Sequence, residues 1–403
     1  MSEPDVTDLL TVQEAIAIID GVGVSPRVES VPLSNAAGRV LAEDLRADRD
    51  FPPFDKSQMD GYAVRSTDLA EVPARLRVTE TIAAGASGKV ELAAWQAAAI
   101  MTGAPVPPGA DAVVPVEFTQ SPAPDRVVIQ KAVRAGASIA RRASDCRAGA
   151  VVLTAGGRLG PAQLAVAASV GATTLRVFAK PRVAVLSTGD EIVDMDAIPG
   201  PTQIRNSNSP MLLSLLQSFG CETIDLGHVR DEPAVIRDAI TRGLSHDALF
   251  VTGGMSMGQF DYVPRLLQEL NVDLKITKLK IKPGKPFVFG LAPSGARVFG
   301  LPGNPVSAFV CTLRLASRLI SRMGGQAVRE RWIDAPLETS LPANGPREFY
   351  QPARWSGSLV RPMNWKGSAD IFTLAEADGL IIRPADDPAR AAGDMVRILE
   401  VPR

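Results

Sequence analysis

The sequence predicts a multidomain protein of mixed α/β and β type, built around a doubly wound α/β region. Three observations predict it. Between about 180 and 325, strand-like runs alternate with segments of helical period, the pattern of a parallel sheet with crossover helices. The stretches 48–146 and 330–403 instead carry short β-prone runs broken by Gly and Pro. A chain of 403 residues also exceeds what one compact core holds, so several domains are expected.

The elements follow in order. Thr11 and Glu14 read as a capping box, with Val12, Ala15, Ile16 and Ile19 at helical spacing and Gly21 and Gly23 closing the helix. Residues 27–47 are turn-rich. Runs from Arg75 to Ile82, Ala97 to Met101, Ala112 to Val116 and Arg126 to Lys131 read as strands. A β segment and an Ala-rich helix starting at Gly160-Pro161 occupy 147–179. In the α/β region the strands are expected at Arg182 to Leu186, Thr223 to Leu226, Ala248 to Thr252, Phe287 to Phe289 and Arg297 to Leu301. Ser209 before Pro210, Asp231 before Pro233 and Asn304 before Pro305 read as three helix starts.

Composition removes whole classes of function. Lys plus Arg (43) nearly balances Asp plus Glu (44), so no net field favours a nucleic acid or an anionic membrane. No apolar run reaches the ~18 residues that a membrane span needs, and Met1 to Leu10 reads as no secretory leader. Three scattered cysteines make neither a disulfide framework nor a zinc site, which fits a cytoplasmic protein. Two histidines, His228 and His246, leave little room for imidazole chemistry. Carboxylates, lysines and backbone amides must carry any reaction.

Those groups gather where an open α/β sheet binds ligands, at the carboxyl ends of its strands. Ser187-Thr-Gly-Asp-Glu191 follows the first strand, Arg230-Asp231 the second, Thr252-Gly-Gly-Met-Ser-Met-Gly258 the third and Leu301-Pro-Gly-Asn-Pro305 the last. Gly253, Gly254 and Gly258 let backbone N–H groups approach an anion, and Ser256 adds a hydroxyl; a plain strand-to-helix turn explains the same glycines. Lys278, Lys280, Lys282 and Lys285 lie on one segment stiffened by prolines around Gly284, which reads either as a phosphate site or as a solvated edge strand. Asp190, Glu191, Asp231 and Asp261 beside these lysines suit a magnesium–polyphosphate site, since magnesium takes one or two carboxylates plus phosphate oxygens. Each is equally a candidate helix cap, Asp231 above all. In the β-rich stretch, Asp55-Lys-Ser-Gln-Met-Asp-Gly-Tyr-Ala63 and the stiff loop Met101-Thr-Gly-Ala-Pro-Val-Pro-Pro-Gly109, which exposes Thr102, read as a polar binding surface.

Six segments in order, 55–63, 101–107, 187–191, 252–258, 281–286 and 301–307, make the chain resemble the molybdopterin molybdenumtransferase family, which includes the E domain of gephyrin. The resemblance spans essentially the whole chain. It implies an N-terminal helix (1–26) packed on an α/β molybdopterin-binding domain (180–329), a discontinuous α/β linker domain (27–47 and 147–179), an inserted β-rich domain (48–146) and a C-terminal β-barrel-like domain (330–403). It also implies a homodimer whose site lies between the α/β domain of one subunit and the β-rich domain of the other.

The implied substrates are adenylylated molybdopterin and molybdate, with AMP released and Mg2+ or another divalent ion required. Other proteins of the cofactor pathway are implied as partners. By resemblance, Lys278, Lys282, Lys285 and the amides of 252–258 bind phosphates, and Asp60, Glu191, Asp231 and Asp261 position metal and water, with Glu191, Asp231 and Asp261 as the metal ligands. Thr102 joins the substrate-binding set. Pro302, Pro305, Arg347 and Ser368 match the oxyanion pocket, Arg354 competing with Arg347. Asp145 completes the catalytic set, although Ala143-Ser144 stands where the family usually has Gly-Glu. A paralogue specialised for tungstate and a non-catalytic, gephyrin-like scaffold share these motifs; a phosphotransferase with a Walker loop does not, since that loop is absent.

Overall fold

The computed structural model describes residues 9–86, 88–255, 262–328 and 330–402. The first helix, Val12–Asp20, begins as its sequence dictates: the Glu14 amide donates to Thr11 Oγ1 at 3.2 Å and the Thr11 amide donates back to Glu14 Oε2 at 2.7 Å. Its buried face, Val12, Ala15, Ile16 and Ile19, packs into the core of the α/β unit.

That unit holds a six-stranded sheet in the order Glu222–Val229, Arg182–Thr188, Ala248–Thr252, Arg297–Leu301, Val288–Leu291 and Asp273–Ile276. The first four strands are parallel; Val288–Leu291 runs the other way, antiparallel to both of its neighbours. Period-2 alternation of apolar residues serves both faces. Val183, Val185, Phe250 and Phe299 meet the helices Asn208–Ser218 and Pro305–Cys311 on one side. Ala184, Leu186, Leu249 and Val251 meet Pro233–Gly243 and Val263–Glu269 on the other. The doubly wound expectation therefore holds.

Two of the expected helix starts are displaced. The helix assigned to Ser209 begins at Asn208, and the Asn206 side chain accepts the Ser209 amide at 3.1 Å. Pro210 is tolerated inside the first turn because N–H groups there have no intrahelical acceptor to lose. Asp231 is not a helix cap: Glu232 holds that position before Pro233, and the Asp231 amide donates to Asp190 Oδ1 at 3.1 Å. Asn304 does precede the helix at Pro305, but its amide is spent elsewhere. The helix that begins at Pro305 passes through a π-helical turn, Thr312–Ala316, before continuing as Ser317–Met323.

A second six-stranded sheet, ordered Ala112–Pro115, Gly61–Val64, Gln96–Ile100, Ala74–Ile82, Arg126–Ile129 and Thr119–Ala123, forms the β-rich part. Gly61 is required there, since a Cβ would lie 2.0 Å from the Val114 carbonyl oxygen of the adjacent strand. Val28–Pro32 pairs with Thr174–Phe178, and Leu45–Arg46 with Val151–Leu153.

The C-terminal sheet runs Ile281–Lys282, Glu348–Trp355, Gly379–Arg383, Met395–Glu400 and Trp332–Pro336, with Val360–Pro362 against Glu348–Trp355. Its edge strand is thus supplied by the lysine segment of the α/β region, and Ile281 pairs with Glu348. A partly buried polar chain backs this junction. Arg314, in the π-helical turn, donates to the Tyr350 hydroxyl at 2.8 Å and pairs with Glu330, which also takes Arg318 at 3.0 Å; Arg318 reaches Asp20 at 2.5 Å. Four separated stretches of sequence are thereby held in one arrangement. Among the described residues, no helix is long and apolar enough to cross a membrane.

Candidate functional site

The predicted residues form two groups. In the β-rich part, the 55–63 and 101–107 segments meet directly: the Ser57 amide donates to the Ala104 carbonyl at 2.9 Å and the Gly103 amide to the Ser57 carbonyl at 2.8 Å. This brings Asp60 to Thr102, whose amide and hydroxyl donate to Asp60 Oδ1 at 2.6 and 2.9 Å. The two bonds, the backbone one foremost, hold the Asp60 carboxyl below its ordinary range. The carboxylate stays exposed, and Met59, Met101 and Val116, next to Asp60 or Thr102 in sequence or bonded to the Asp60 backbone, are 40, 49 and 51 % exposed.

Asp145 lies in the neighbouring loop, exposed, accepting the Ser144 hydroxyl at 2.9 Å. That loop reaches the 55–63 segment through Asp55, which takes the Arg142 amide at 2.8 Å and the Arg141 guanidinium at 2.6 Å. Ala143 adopts φ +60°, a left-handed conformation that costs an L-residue about 1–2 kcal/mol. Glycine avoids that cost, so Ala143→Gly is expected to raise stability by about 0.5–1 kcal/mol after its own backbone entropy is counted. A lowered thermal midpoint would contradict this.

The second group sits at the carboxyl ends of the parallel strands. Chain order reverses between strands 182–188 and 248–252, so the crevice of an open α/β sheet opens there. Gly253 and Gly254, at φ +93° and +62°, wrap over Thr188: a Cβ on Gly253 would lie 2.2 Å from the Thr188 carbonyl oxygen. Asn208 Nδ2 ties this turn to the next loop, donating to Thr252 Oγ1 at 2.9 Å and to the Gly303 carbonyl at 2.7 Å. Pro302 is held the same way, its carbonyl accepting Thr252 Oγ1 at 3.2 Å. Ser368 docks beside Pro305: Asn304 Nδ2 donates to Ser368 Oγ at 2.9 Å and the Val306 amide to the Ser368 carbonyl at 3.0 Å. Ser187, Asn206 and Ser209 form a further buried hydrogen-bonded set behind these loops.

Glu191 is exposed and Asp231 half-buried on adjacent strand-end loops, linked through Asp190. Among the described residues no three His, Cys, Asp or Glu side chains form a metal cage. Ser256, Gly258 and Asp261 lie outside the described residues. Lys278 and Lys285 are half-buried, Lys282 exposed, and none has an ion-pair partner among the described residues. Lys282 Nζ rests 4.7 Å from the Phe349 ring centroid, and Phe349 packs on Trp365 at 5.7 Å. Arg347 immediately precedes the strand that pairs with Ile281–Lys282, whereas Arg354 lies near its far end, paired with Glu376. Geometry therefore favours Arg347 as the arginine beside the lysine segment.

The sequence reading missed Asn208 and the Phe349–Trp365 pair, and took Asn304 for a helix start and not for the residue that fixes Ser368. Asn206-Ser-Asn-Ser-Pro210 carries a signal, four polar residues before a proline, but it reads as an ordinary helix start. The cysteines add nothing: burial pushes the Cys221 thiol up to about 12 and raises that of Cys311 as well.

Three family descriptions cover the chain: the MoeA N-terminal region (domain I and II) over 10–171, a probable molybdopterin binding domain over 184–322, and the MoeA C-terminal region (domain IV) over 334–401. The molybdopterin molybdenumtransferase of Synechococcus elongatus is 35 % identical over 387 residues, covering 92 % of this chain and 94 % of the relative. That of Nostoc sp. is 34 % identical over 394 residues, covering 93 % and 89 %. The chain belongs to the molybdopterin molybdenumtransferase family. A solved molybdopterin biosynthesis MoeA protein from Pyrococcus horikoshii has the same fold, with a TM-score of 0.85, 28 % identity and coverage of 98 and 100 %. Family membership makes the chain a transferase of molybdenum cofactor biosynthesis.

Proposed function

We propose that this chain inserts molybdenum, supplied as molybdate, into adenylylated molybdopterin and releases AMP. The observation that carries the reading is a glycine turn with an exposed and a half-buried carboxylate on the loops at the carboxyl ends of the parallel strands, in a unit whose Lys278, Lys282 and Lys285 have no ion-pair partner among the described residues. An anionic phosphorylated ligand suits such a place, because unspent lysine charges and amides bind it through charge-assisted hydrogen bonds of about 1.5–3 kcal/mol each.

Within this reading Lys278, Lys282 and Lys285, with the Gly253–Gly254 turn, hold the phosphates. Pro302, Pro305, Arg347 and Ser368 shape the oxyanion pocket, with Asn304 fixing Ser368. Ser256, Gly258 and Asp261, outside the described residues, keep the substrate and metal roles the family resemblance implies. Magnesium fits the donor set as an ion shared with substrate: hard carboxylate oxygens of Glu191 and Asp231 are present, while a protein-only cage among the described residues is not. When bound, it would neutralise phosphate charge.

Asp60 and Thr102 share no hydrogen bond or ion pair with the strand-end group among the described residues. Their apolar, exposed surroundings therefore support a homodimer in which a second copy brings them to the crevice, Asp145 lying in the neighbouring loop. Light scattering is expected to give a dimer across the micromolar range; a clean monomer would undo the shared site.

The deciding experiment measures AMP release from adenylylated molybdopterin with purified protein and magnesium. Molybdate-dependent AMP and active cofactor are expected. Tight nucleotide binding with no AMP, with either molybdate or tungstate, would overturn the catalytic reading.

A further inference from the structure

Thr188 ends the strand Arg182–Thr188 at the point where chain order reverses. It is 3 % exposed, and its Oγ1 has no hydrogen-bond partner among the described residues. Buried hydroxyls in folded proteins are almost always satisfied, so an orphan at a ligand crevice calls for a physical cause. Its neighbours narrow the cause. The left-handed glycines Gly253 and Gly254 close over it, and a Cβ on either would come within 3.0 Å of Oγ1. Ser187, one residue earlier, is fully engaged with Asn206 and Ser209, so the local fold supplies partners where it needs them.

We propose that the Thr188 hydroxyl is a substrate-binding donor, given up by the free protein and satisfied by a phosphoryl oxygen of the ligand seated on the Gly253–Gly254 turn. A hydroxyl rotates freely and can donate, which suits an anionic oxygen, and successive amides of a left-handed turn favour the same charge. The inference deepens the proposed function and rests on its phosphate assignment. It makes an unusual prediction: removing the hydroxyl weakens ligand binding without weakening the free fold, because an unsatisfied buried polar group stabilises nothing.

The test compares wild type, Thr188→Val and Thr188→Ser, with calorimetric titration by pyrophosphate and by AMP and thermal melts of the free proteins. Thr188→Val keeps the branched shape and is expected to bind pyrophosphate or AMP about tenfold more weakly, with a Tm at or above wild type; Thr188→Ser, which keeps the hydroxyl, stays within about threefold. If Thr188→Val binds like wild type, the hydroxyl does not touch the ligand and the inference fails alone. A Thr188→Val protein that loses Tm and affinity together has lost a structural group, which overturns the inference as well. Wild type that binds neither pyrophosphate nor AMP would sink the phosphate assignment and this inference with it.

Discussion

Asp60→Asn is expected to leave the protein folded and to cut molybdenum insertion by about 10²–10³-fold, the range found when a charge-stabilising group is removed from an active site. The substitution preserves size, and the Asn carbonyl oxygen can still accept from the Thr102 amide and hydroxyl that now meet Asp60 Oδ1. What disappears is the negative charge. Because Asp60 is exposed, little core is disturbed and the melting temperature should stay close to wild type.

The pH dependence adds a second readout. The Thr102 donors lower the Asp60 carboxyl, so the folded state binds its proton less readily than the unfolded chain. Any stability from this pair is fully present above the ordinary carboxylate range and is lost as pH falls through the depressed value. Wild-type activity is therefore expected to be insensitive to Asp60 protonation at neutral pH. Wild-type turnover by purified Asp60→Asn would remove Asp60 from the catalytic set.

Gly253→Ala is expected to cost about 3–5 kcal/mol and to abolish binding of the phosphorylated ligand. Two terms add. The backbone sits at φ +93°, and the new Cβ would stand 2.2 Å from the Thr188 carbonyl oxygen, which is backbone and cannot rotate aside. Relief requires the turn to lift off the end of strand Arg182–Thr188, and that movement also pulls Thr252 away from Asn208 and Pro302. Thermal unfolding and pyrophosphate titration of the same preparation check both parts. A variant with wild-type melting and binding would show that the turn accommodates a side chain, and that the glycine there is not a requirement of the site.

Much of the architecture was legible because local rules and burial agreed. Ala248–Thr252 and Arg297–Leu301 are apolar runs bounded by glycine or proline loops, and both strands occur at the expected residues. The capping box at Thr11 and Glu14 formed as read. The reading failed where a polar residue had two possible partners. Asp231 and Ser209 carry helix-cap chemistry in sequence, yet their amides are taken by Asp190 and Asn206, choices set by neighbouring loops that no local pattern encodes.

By itself, the sequence determined the class of chemistry. Two histidines and scattered cysteines left carboxylates, lysines and amides, and six motifs identified the family. Tertiary structure decided which of these groups meet: Asp60 with Thr102 across 42 positions, Ser368 with Asn304 across 64, and Lys282 with Phe349 through an edge strand lent to another sheet. It also decided that the Thr188 hydroxyl is buried without a partner among the described residues. The physical reason is that residue type fixes what a side chain can do, whereas long-range packing fixes which donors and acceptors lie within 3 Å, and whether any is left over.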